Sequence, residues 1–325
     1  MSTQTLTASA RPVLSIIIVN WMVRDLLRQC LRSLETGTSL PEQAREVVVV
    51  DNASHDGSVE MLRREFPAVR LLANEDNVGF GAANNQALPY CSAEWILLLN
   101  PDTVVLPGAI DAMLASARAD ESIGVLGCRL LNGDGTLQKW TGGHFPNLAN
   151  LLSHYFFLDR LLPAALRPPS LYLDRDVRED LTVDWVSGAC MLLRRSALGE
   201  RIFDPAYFMY GEDMELCHRL RRQGYRVLYS PAASVIHFQG QSMKQQEGDI
   251  LLSSLKGPRQ FYRATHDEAG TLLFDLITLG GFLLRWAVYS LAAWPGRQAV
   301  MRERARSSLH YARIVMRLMV QGGKP

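Results

Sequence analysis

Trp95-Ile96-Leu97-Leu98-Leu99-Asn100-Pro101-Asp102-Thr103 is the stretch whose reading decides the fold. Five apolar residues run unbroken into Asn100, Pro101 and Asp102. A short apolar run bounded by turn residues reads as a buried strand. Open α/β sheets aim their chemistry into the crevice beyond the carboxyl ends of such strands. An acid delivered there can hold a divalent cation and, through it, a diphosphate. Asn-Pro-Asp is also good turn chemistry, so an ordinary strand-ending turn competes with the site.

Toward the N-terminus the same unit recurs. Val13 to Val19 is an apolar, β-branched run ending at Asn20-Trp21, read as a strand buried on both faces. Leu26, Leu27, Cys30, Leu31 and Leu34 follow at helical spacing. Glu46 to Val50 is a second strand, ending at Asp51-Asn52-Ala53-Ser54. A helix then runs from Asp56-Gly57-Ser58 to about Phe66, with Asp56 or Ser58 as its cap. Val69 to Ala73 is a third strand, Asn74 to Gly81 a loop and Ala82 to Leu88 a helix. Beyond Asp102, Pro107 opens a further helix. This rhythm predicts an α/β fold, Rossmann-like, with a mostly parallel central sheet flanked by helices and right-handed crossovers. The carboxyl ends of its strands carry Asn20, Asp51, Asn52 and Asp102. That clustering is the first functional signal.

Gly79-Phe80-Gly81-Ala82-Ala83-Asn84 looks like a dinucleotide fingerprint but follows the third strand after a polar loop, with Asn84 in place of the last glycine. Hydride transfer is therefore disfavoured. A glycine turn opening a helix can still approach a phosphate or sugar closely, and a plain loop and cap explains it equally well.

Toward the C-terminus, Gly124 to Leu131 reads as a strand and Asn132-Gly133-Asp134-Gly135 as a hairpin turn. From Gln138 to Asp180 the pattern loosens around Pro146, Pro163, Pro168 and Pro169, while Leu148 to Leu162 is apolar. This is expected to be a mobile or membrane-facing insertion. A hydrophobic subsite for a lipid-linked substrate and a satellite core cluster are the alternatives. Val183 to Arg194 reads as a loop entering a buried strand, with Gly188 marking a close backbone approach. Trp185 there is either the wall of a sugar site or packing. Gly211-Glu212-Asp213 opens a helix, where the dipole favours negative charge; capping alone would account for Glu212 or Glu215. The aromatic lead-in through Phe203, Tyr207, Phe208 and Tyr210 would desolvate one carboxylate and raise its pKa, as a general base needs. Glu215 and Arg219 are spaced to pair along the helix. After a strand over 224–231, Ala233 to Ile236 is a further short strand ending at His237, ahead of a Gly240/Ser242 loop. A lone histidine is more often structural. This one ends a strand, as Asp102 does, so the two are read as ligands of a shared metal site.

The whole chain has 325 residues, 48% hydrophobic and 21% charged, with a net charge of +1. That suits a globular protein and offers no reason for a nucleic-acid partner. The five cysteines are scattered without zinc spacing; Cys30, Cys190 and Cys217 sit in apolar or helical patterns and are expected as buried thiols, in a reducing compartment. Met1 to Arg11 shows no signal-peptide pattern. Leu272 to Trp294 approaches the roughly 20 residues that span a bilayer, yet Asp275 and Arg285 make a span expensive. Its tryptophans and the basic run from Arg297 to Arg317 suit a helix lying at the interface of the cytoplasmic leaflet. Packing on the domain or across a homodimer is the alternative.

One resemblance joins these motifs. Ser15-Ile-Ile-Ile-Val-Asn20-Trp21, Val50-Asp51-Asn52-Ala53-Ser54 with Asp56-Gly57-Ser58, Asn77-Val-Gly79-Phe-Gly81-Ala-Ala-Asn84, Leu99-Asn100-Pro101-Asp102, Gly188-Ala189, Gly211-Glu212-Asp213 and His237 occur in the order found in family 2 glycosyltransferases of the GT-A fold. The chain most resembles the rhamnosyltransferase-like branch that builds bacterial cell-surface polysaccharides. The likeness covers residues 13–245, with 13–105 as nucleotide-sugar half and 106–245 as acceptor and catalytic half. Residues 1–12 are left as a flexible arm, and 246–325 as a helical region that associates with membrane or dimerises.

The resemblance implies roles. Asp51 would hold the donor's base or ribose in a pocket shaped by Asn20 and Asn52. Asn77, Gly79 and Asn84 would line the nucleotide-sugar cleft, and Asn100 and Asp102 would meet the diphosphate. Asp102 matches the last acid of the family's D-x-D element and His237 its later ligand for Mg2+ or Mn2+. Asp213 matches the catalytic base, with Trp185, Gly188, Ala189 and Glu212 on the acceptor side. Asn100 stands where many relatives have an acid, which leaves one fewer anionic ligand; the rhamnosyl branch commonly carries asparagine there. The implied reaction is inverting transfer of L-rhamnose from dTDP-L-rhamnose to a hydroxyl of a glycan or polyprenyl-diphosphate-linked acceptor, at the inner face of the bacterial plasma membrane. A UDP- or GDP-sugar is the nearest alternative donor. A sugar nucleotidyltransferase would need a glycine-rich basic loop after the first strand, and Asn20-Trp21-Met22-Val23-Arg24 is not one. A non-catalytic nucleotide-sugar binding protein has no use for Asp102, Asp213 and His237 together.

Overall fold

In the computed structural model, which describes residues 11–239, 250–293 and 298–320, the expected alternation forms. Most of the N-terminal arm, the Gly240/Ser242 loop, the 245/246 boundary and Trp294 to Arg297 lie outside the described residues. The first half comprises β1 (Leu14–Asn20), α1 (Arg24–Gly37), β2 (Arg45–Asn52), α2 (Ser58–Glu65), β3 (Arg70–Asn74), α3 (Phe80–Ala87) and β4 (Trp95–Leu99). β2 and β4 flank β1 in parallel, and β3 adds a parallel edge. Every residue of β1 and β4 is buried, because alternate side chains serve two cores. Ile16, Ile18, Leu97 and Leu99 meet Leu27, Leu31 and Leu34 of α1. Ile17, Val19, Ile96 and Leu98 meet Ala83 and Ala87 of α3. At roughly 25 cal/mol per Å² of apolar area, this two-faced burial drives the layering.

The second half adds β5 (Thr103–Val105), α4 (Ala109–Arg118), β6 (Ile123–Leu131), β7 (Gly142–Gly143), α5 (Leu148–Tyr155), α6 (Leu158–Leu161), β8 (Leu181–Val183), β9 (Trp185–Val186), β10 (Cys190–Arg194), α7 (Glu212–Arg222) and β11 (Arg226–His237). The sheet order is β3-β2-β1-β4-β10-β6-β11-β5, with β8 also on β11. The sheet is parallel up to β4 and mixed beyond it. β10 runs antiparallel to β4 and β6, so Cys190 sits opposite Leu99 and the loop before it reaches the sheet's carboxyl edge. β5 runs antiparallel to β11, so His237 pairs with Thr103, next in sequence to Asp102. These two reversals bring the second half's residues to the crevice.

Several local expectations shift. α2 is capped by Gly57 at φ 83°, and Asp56 reaches past it to accept from the N–H and hydroxyl of Ser58. α4 begins after Gly108, two residues beyond Pro107. The turn after β6 forms, but its far side pairs only at Leu131 and Leu137. The two short strands expected over 224–236 are one strand, β11, irregular between Ser230 and Ser234 where Pro231 has no N–H to donate.

The 138–180 segment forms α5 and α6. Leu151, Tyr155 and Leu171 pack with Tyr262 and Phe274 of the C-terminal helices in a separate cluster, as the satellite-core alternative holds, while Leu148, Leu152, Leu161 and Leu166 stay exposed. Those helices are α8 (Ile250–Thr265), α9 (Glu268–Ala292) and α10 (Gln298–Val320). The Arg259 guanidinium meets the Asp275 carboxylate with two parallel hydrogen bonds of 2.7 and 2.8 Å, joining α8 to α9. Arg285 donates to the His154 carbonyl and lies over the rings of Tyr155 and Phe157. Asp275 and Arg285 of α9 therefore both face protein. Among the described residues α9 is the one helix long and apolar enough to cross a membrane. Cys30, Cys190 and Cys217 are free and buried, as expected, and so are Cys91 and Cys128.

Candidate active site

At the end of β1, Asn20 donates to the Asp51 carboxylate at the end of β2 over 2.7 Å. Ser54 closes the arrangement: its backbone N–H donates to the other Asp51 oxygen, and its hydroxyl accepts from Met22 N–H. Met22 and Ala53 adopt positive φ in these two loops, at 57° and 61°, the kind of backbone strain that concentrates at functional sites. With its amide nitrogen turned to Asp51, Asn20 leaves its buried Oδ1 without a donor. A buried acceptor left unmade costs roughly 1–3 kcal/mol.

One strand further out, Asn52 accepts from Asn74 and donates to Asn77, whose side-chain oxygen accepts from Gly79 N–H. Gly79 starts α3 at φ 86°, where an added Cβ would meet the Phe208 ring at 2.8 Å. That ring is 58% exposed, an aromatic surface at the mouth of the site. Asn84, expected to line the cleft, is 1% exposed, and its amide donates back to the Phe80 carbonyl. It holds the first turn of α3.

Past β4, Asp102 and His237 come side by side, with Oδ1 and Nε2 3.3 Å apart and both residues buried. Asn100 Nδ2 also lies 3.3 Å from Nε2. The other ring nitrogen faces Gln138 Oε1 at 2.8 Å. The Gln138 amide is oriented by its nitrogen, which donates to the His237 carbonyl, a group that can only accept. His237 Nδ1 therefore carries a proton, and in the neutral ring Nε2 presents a lone pair beside the Asp102 carboxylate. A divalent cation held here would be met by both acceptors. Their separation is near the about 3 Å expected between adjacent ligands of an octahedral cation of Mg2+ size, with bonds of roughly 2.1 Å. Among the described residues no group of three or more His, Cys, Asp or Glu side chains forms a metal site by itself. Further ligands would come from water or a bound diphosphate, and Asn100 offers no charge of its own.

The Ser187-Gly188-Ala189 loop links this pair to α7. Asn100 N–H donates to the Ala189 carbonyl over 2.9 Å, and Gly188 N–H is hydrogen-bonded to the Asp213 carboxylate. Asp213 also accepts from its neighbour Met214 N–H at 2.8 Å. Burial pushes Asp213 up to about 6, against the pull of these N–H donors. Burial, with the Asp213 charge beside it, pushes Glu212 up to about 8. The order has a structural cause, since Glu212 Oε2 is buried with no partner while backbone donors hold ionised Asp213. Glu212 therefore holds its proton more firmly than Asp213.

Trp185, expected at a sugar-site wall, instead packs in the second core at 4% exposure, edge-on to Tyr172, so packing accounts for it. Gln138 had no role in the sequence, Ser54 entered only as part of a motif, and Phe208 only as part of the aromatic lead-in to α7. Only the turn at 132–135 hinted that the chain doubles back to place Gln138.

Comparison with known proteins places this geometry. The model of glycosyl transferase family 2 matches residues 15–202. The chain is 31% identical over 269 residues to an N-acetylglucosaminyl-diphospho-decaprenol L-rhamnosyltransferase of Mycobacterium tuberculosis, covering 78% of this chain and 85% of that protein. It is 30% identical over 232 residues to the rhamnosyltransferase WbbL of Escherichia coli K12, covering 69% and 82%. In structure it is similar to a mannosyltransferase of Pyrobaculum calidifontis solved with GDP-Man and Mn2+, at a TM-score of 0.56 and 17% identity, covering 95% of this chain and 87% of that one. That last likeness speaks for the GT-A fold alone.

Proposed function

The chain belongs to glycosyl transferase family 2, and from that premise we propose that it transfers L-rhamnose from dTDP-L-rhamnose to a hydroxyl of a polyprenyl-diphosphate-linked glycan, with inversion. The two named rhamnosyltransferase relatives support the sugar, and the mycobacterial one supports a lipid-diphosphate acceptor. The observation that carries the chemistry is the link through Gly188-Ala189: it ties the Asp102/His237 pair, by way of Asn100, to the Asp213 carboxylate.

Asp51 and Asn20 hold the base or ribose, and Asn52, Asn77 and Gly79 shape the next wall of the cleft. Asp102 and His237 would hold Mg2+ or Mn2+, which when bound neutralises the charge that develops on a diphosphate leaving group. Asp213 takes the acceptor hydroxyl's proton, held in line by Gly188 and Met214 N–H groups. Glu212, kept protonated, adds no second negative charge beside that base. Attack from the side opposite the diphosphate inverts the anomeric centre in one displacement.

We also place the enzyme at the inner face of the plasma membrane. Leu272, Leu276, Leu283 and Trp286 lie exposed on α9 at spacings of one helical stripe, and the neighbouring α10 exposes Arg304, Arg306 and Arg317.

The test is nucleoside diphosphate release from dTDP-rhamnose, UDP-sugars and GDP-sugars, each with and without Mn2+ and a short polyprenyl-diphosphate glycan. Acceptor-dependent release from dTDP-rhamnose alone is expected. Preference for a UDP- or GDP-sugar overturns the donor, and release without acceptor dependence overturns the transfer.

A further inference from the structure

We propose that Gln138 is a positioning residue that sets the tautomer of His237 and so makes its Nε2 available as a cation ligand. The inference rests on His237 being a ligand, as in the function proposed above.

Gln138 holds His237 at two points. Its Oε1 lies 2.8 Å from Nδ1, and its Nε2 donates to the His237 main-chain carbonyl over 3.2 Å. The same amide nitrogen reaches Asn132 Oδ1 at 3.3 Å. Gln138 is 4% exposed. Both of its amide groups are thus used, and rotating the amide by half a turn would set an N–H against the imidazole N–H and two carbonyl oxygens against its own. Only one orientation satisfies all partners, and it makes Nδ1 the protonated nitrogen. Nε2 is left with its lone pair toward Asp102 and within reach of the Asn100 amide. An outer partner of this kind fixes ring orientation and raises the basicity of the nitrogen that binds metal.

The hairpin explains how Gln138 reaches this place. Asn132 N–H donates to the Thr136 carbonyl over 2.8 Å, and Gly135 turns the chain at φ 81°. Asp134 accepts from the Thr136 N–H and hydroxyl. After the turn, Gln138 N–H donates to the Leu130 carbonyl. The returning chain pairs just long enough to deliver Gln138 and then leaves, which accounts for a tight turn with almost no second strand. Asn132 belongs to both parts, closing the turn with its backbone and steadying the Gln138 amide with its side chain.

The test begins with the unaltered full chain. With nitrogen-15 in its histidines and no metal added, the His237 signals, assigned by their loss in His237→Ala, are expected to report a protonated Nδ1 and a bare Nε2. The opposite tautomer overturns the proposal. Mn2+ affinity is then followed by the electron spin resonance of free Mn2+, in the presence of a nucleoside diphosphate. Gln138→Met is expected to bind Mn2+ roughly 10–100-fold more weakly, and Gln138→Glu, which keeps an acceptor facing Nδ1 but sets its second oxygen against the His237 carbonyl, to recover only part of that loss. Unchanged affinity in Gln138→Met, with a cooperative melt showing that it folds, overturns the proposal. If His237→Ala binds Mn2+ as the parent does, the ligand assignment beneath it fails, a result distinct from failure of Gln138 alone.

Discussion

Asp213 and Glu212 are adjacent carboxyls with different surroundings, and their chemistry divides accordingly. Asp213→Asn keeps the shape of the side chain and one acceptor oxygen for the Met214 and Gly188 N–H groups, but accepts no proton. Transfer is expected to fall by about 10²-fold or more with nucleotide-sugar binding retained, measured by turnover alongside donor titration; near-normal turnover removes Asp213 from the role. The parent's rate should rise with pH through about 6, where Asp213 gives up its proton. The stability effect of Glu212 has the opposite sense. Its folded-state pKa lies above the unfolded value, so its contribution is full below the ordinary carboxylate range and is lost as pH rises through about 8. Glu212→Gln removes that loss. Its melting temperature should exceed the parent's by about 2 °C or more near pH 9 and by little near pH 5. An equal shift at both would show that Glu212 titrates normally. Asp102, Asp213 and His237 were legible in the sequence because strand ends and a glycine-acid helix start are local signals. Gln138 was not, because its partner lies 99 residues away.

At the scale of elements, the helices after β11 reach back to the site. Gly257 of α8 crosses Gly211, so an added Cβ at Gly257 would overlap the Tyr210 carbonyl. Gly257→Ala should therefore displace the lead-in to α7 and lower turnover while far-ultraviolet helix content persists; wild-type kinetics would mean that the crossing has slack. α8 is fixed to α9 by Arg259 and Asp275, whose side chains are 13% and 4% exposed. Removing one partner leaves a buried charge, so Asp275→Ala should cost about 3–5 kcal/mol in urea unfolding. A loss below about 1 kcal/mol would show that water reaches the pair. Asp275 and Arg285 looked like obstacles to a membrane span in the linear sequence. In the fold each meets a protein group, and the outward face of α9 is left apolar.

For the whole molecule, the proposed membrane contact would use that face together with the arginines of α10. Leu276 is 48% and Leu283 40% exposed, and each basic side chain near an anionic surface adds about 1 kcal/mol. The protein should float with vesicles containing anionic lipid and release as salt rises, since screening weakens exposed charges. Leu276→Glu combined with Leu283→Glu should abolish flotation without altering turnover on a soluble acceptor. Retained flotation would assign the face to another use.

The sequence by itself determined the strand-helix alternation, the polar strand ends and the ordered motifs, because hydrophobic period, turn chemistry and helix starts are written within a few residues. It left open the sheet beyond β4, the packing of 138–180 and the surroundings of Trp185 and Asn84. Only the tertiary structure decided those. Antiparallel insertion of β10 and β5 is a matter of pairing between distant segments, and it is this pairing that sets Asp102 beside His237, Asn100 against Ala189 and Gly188 against Asp213.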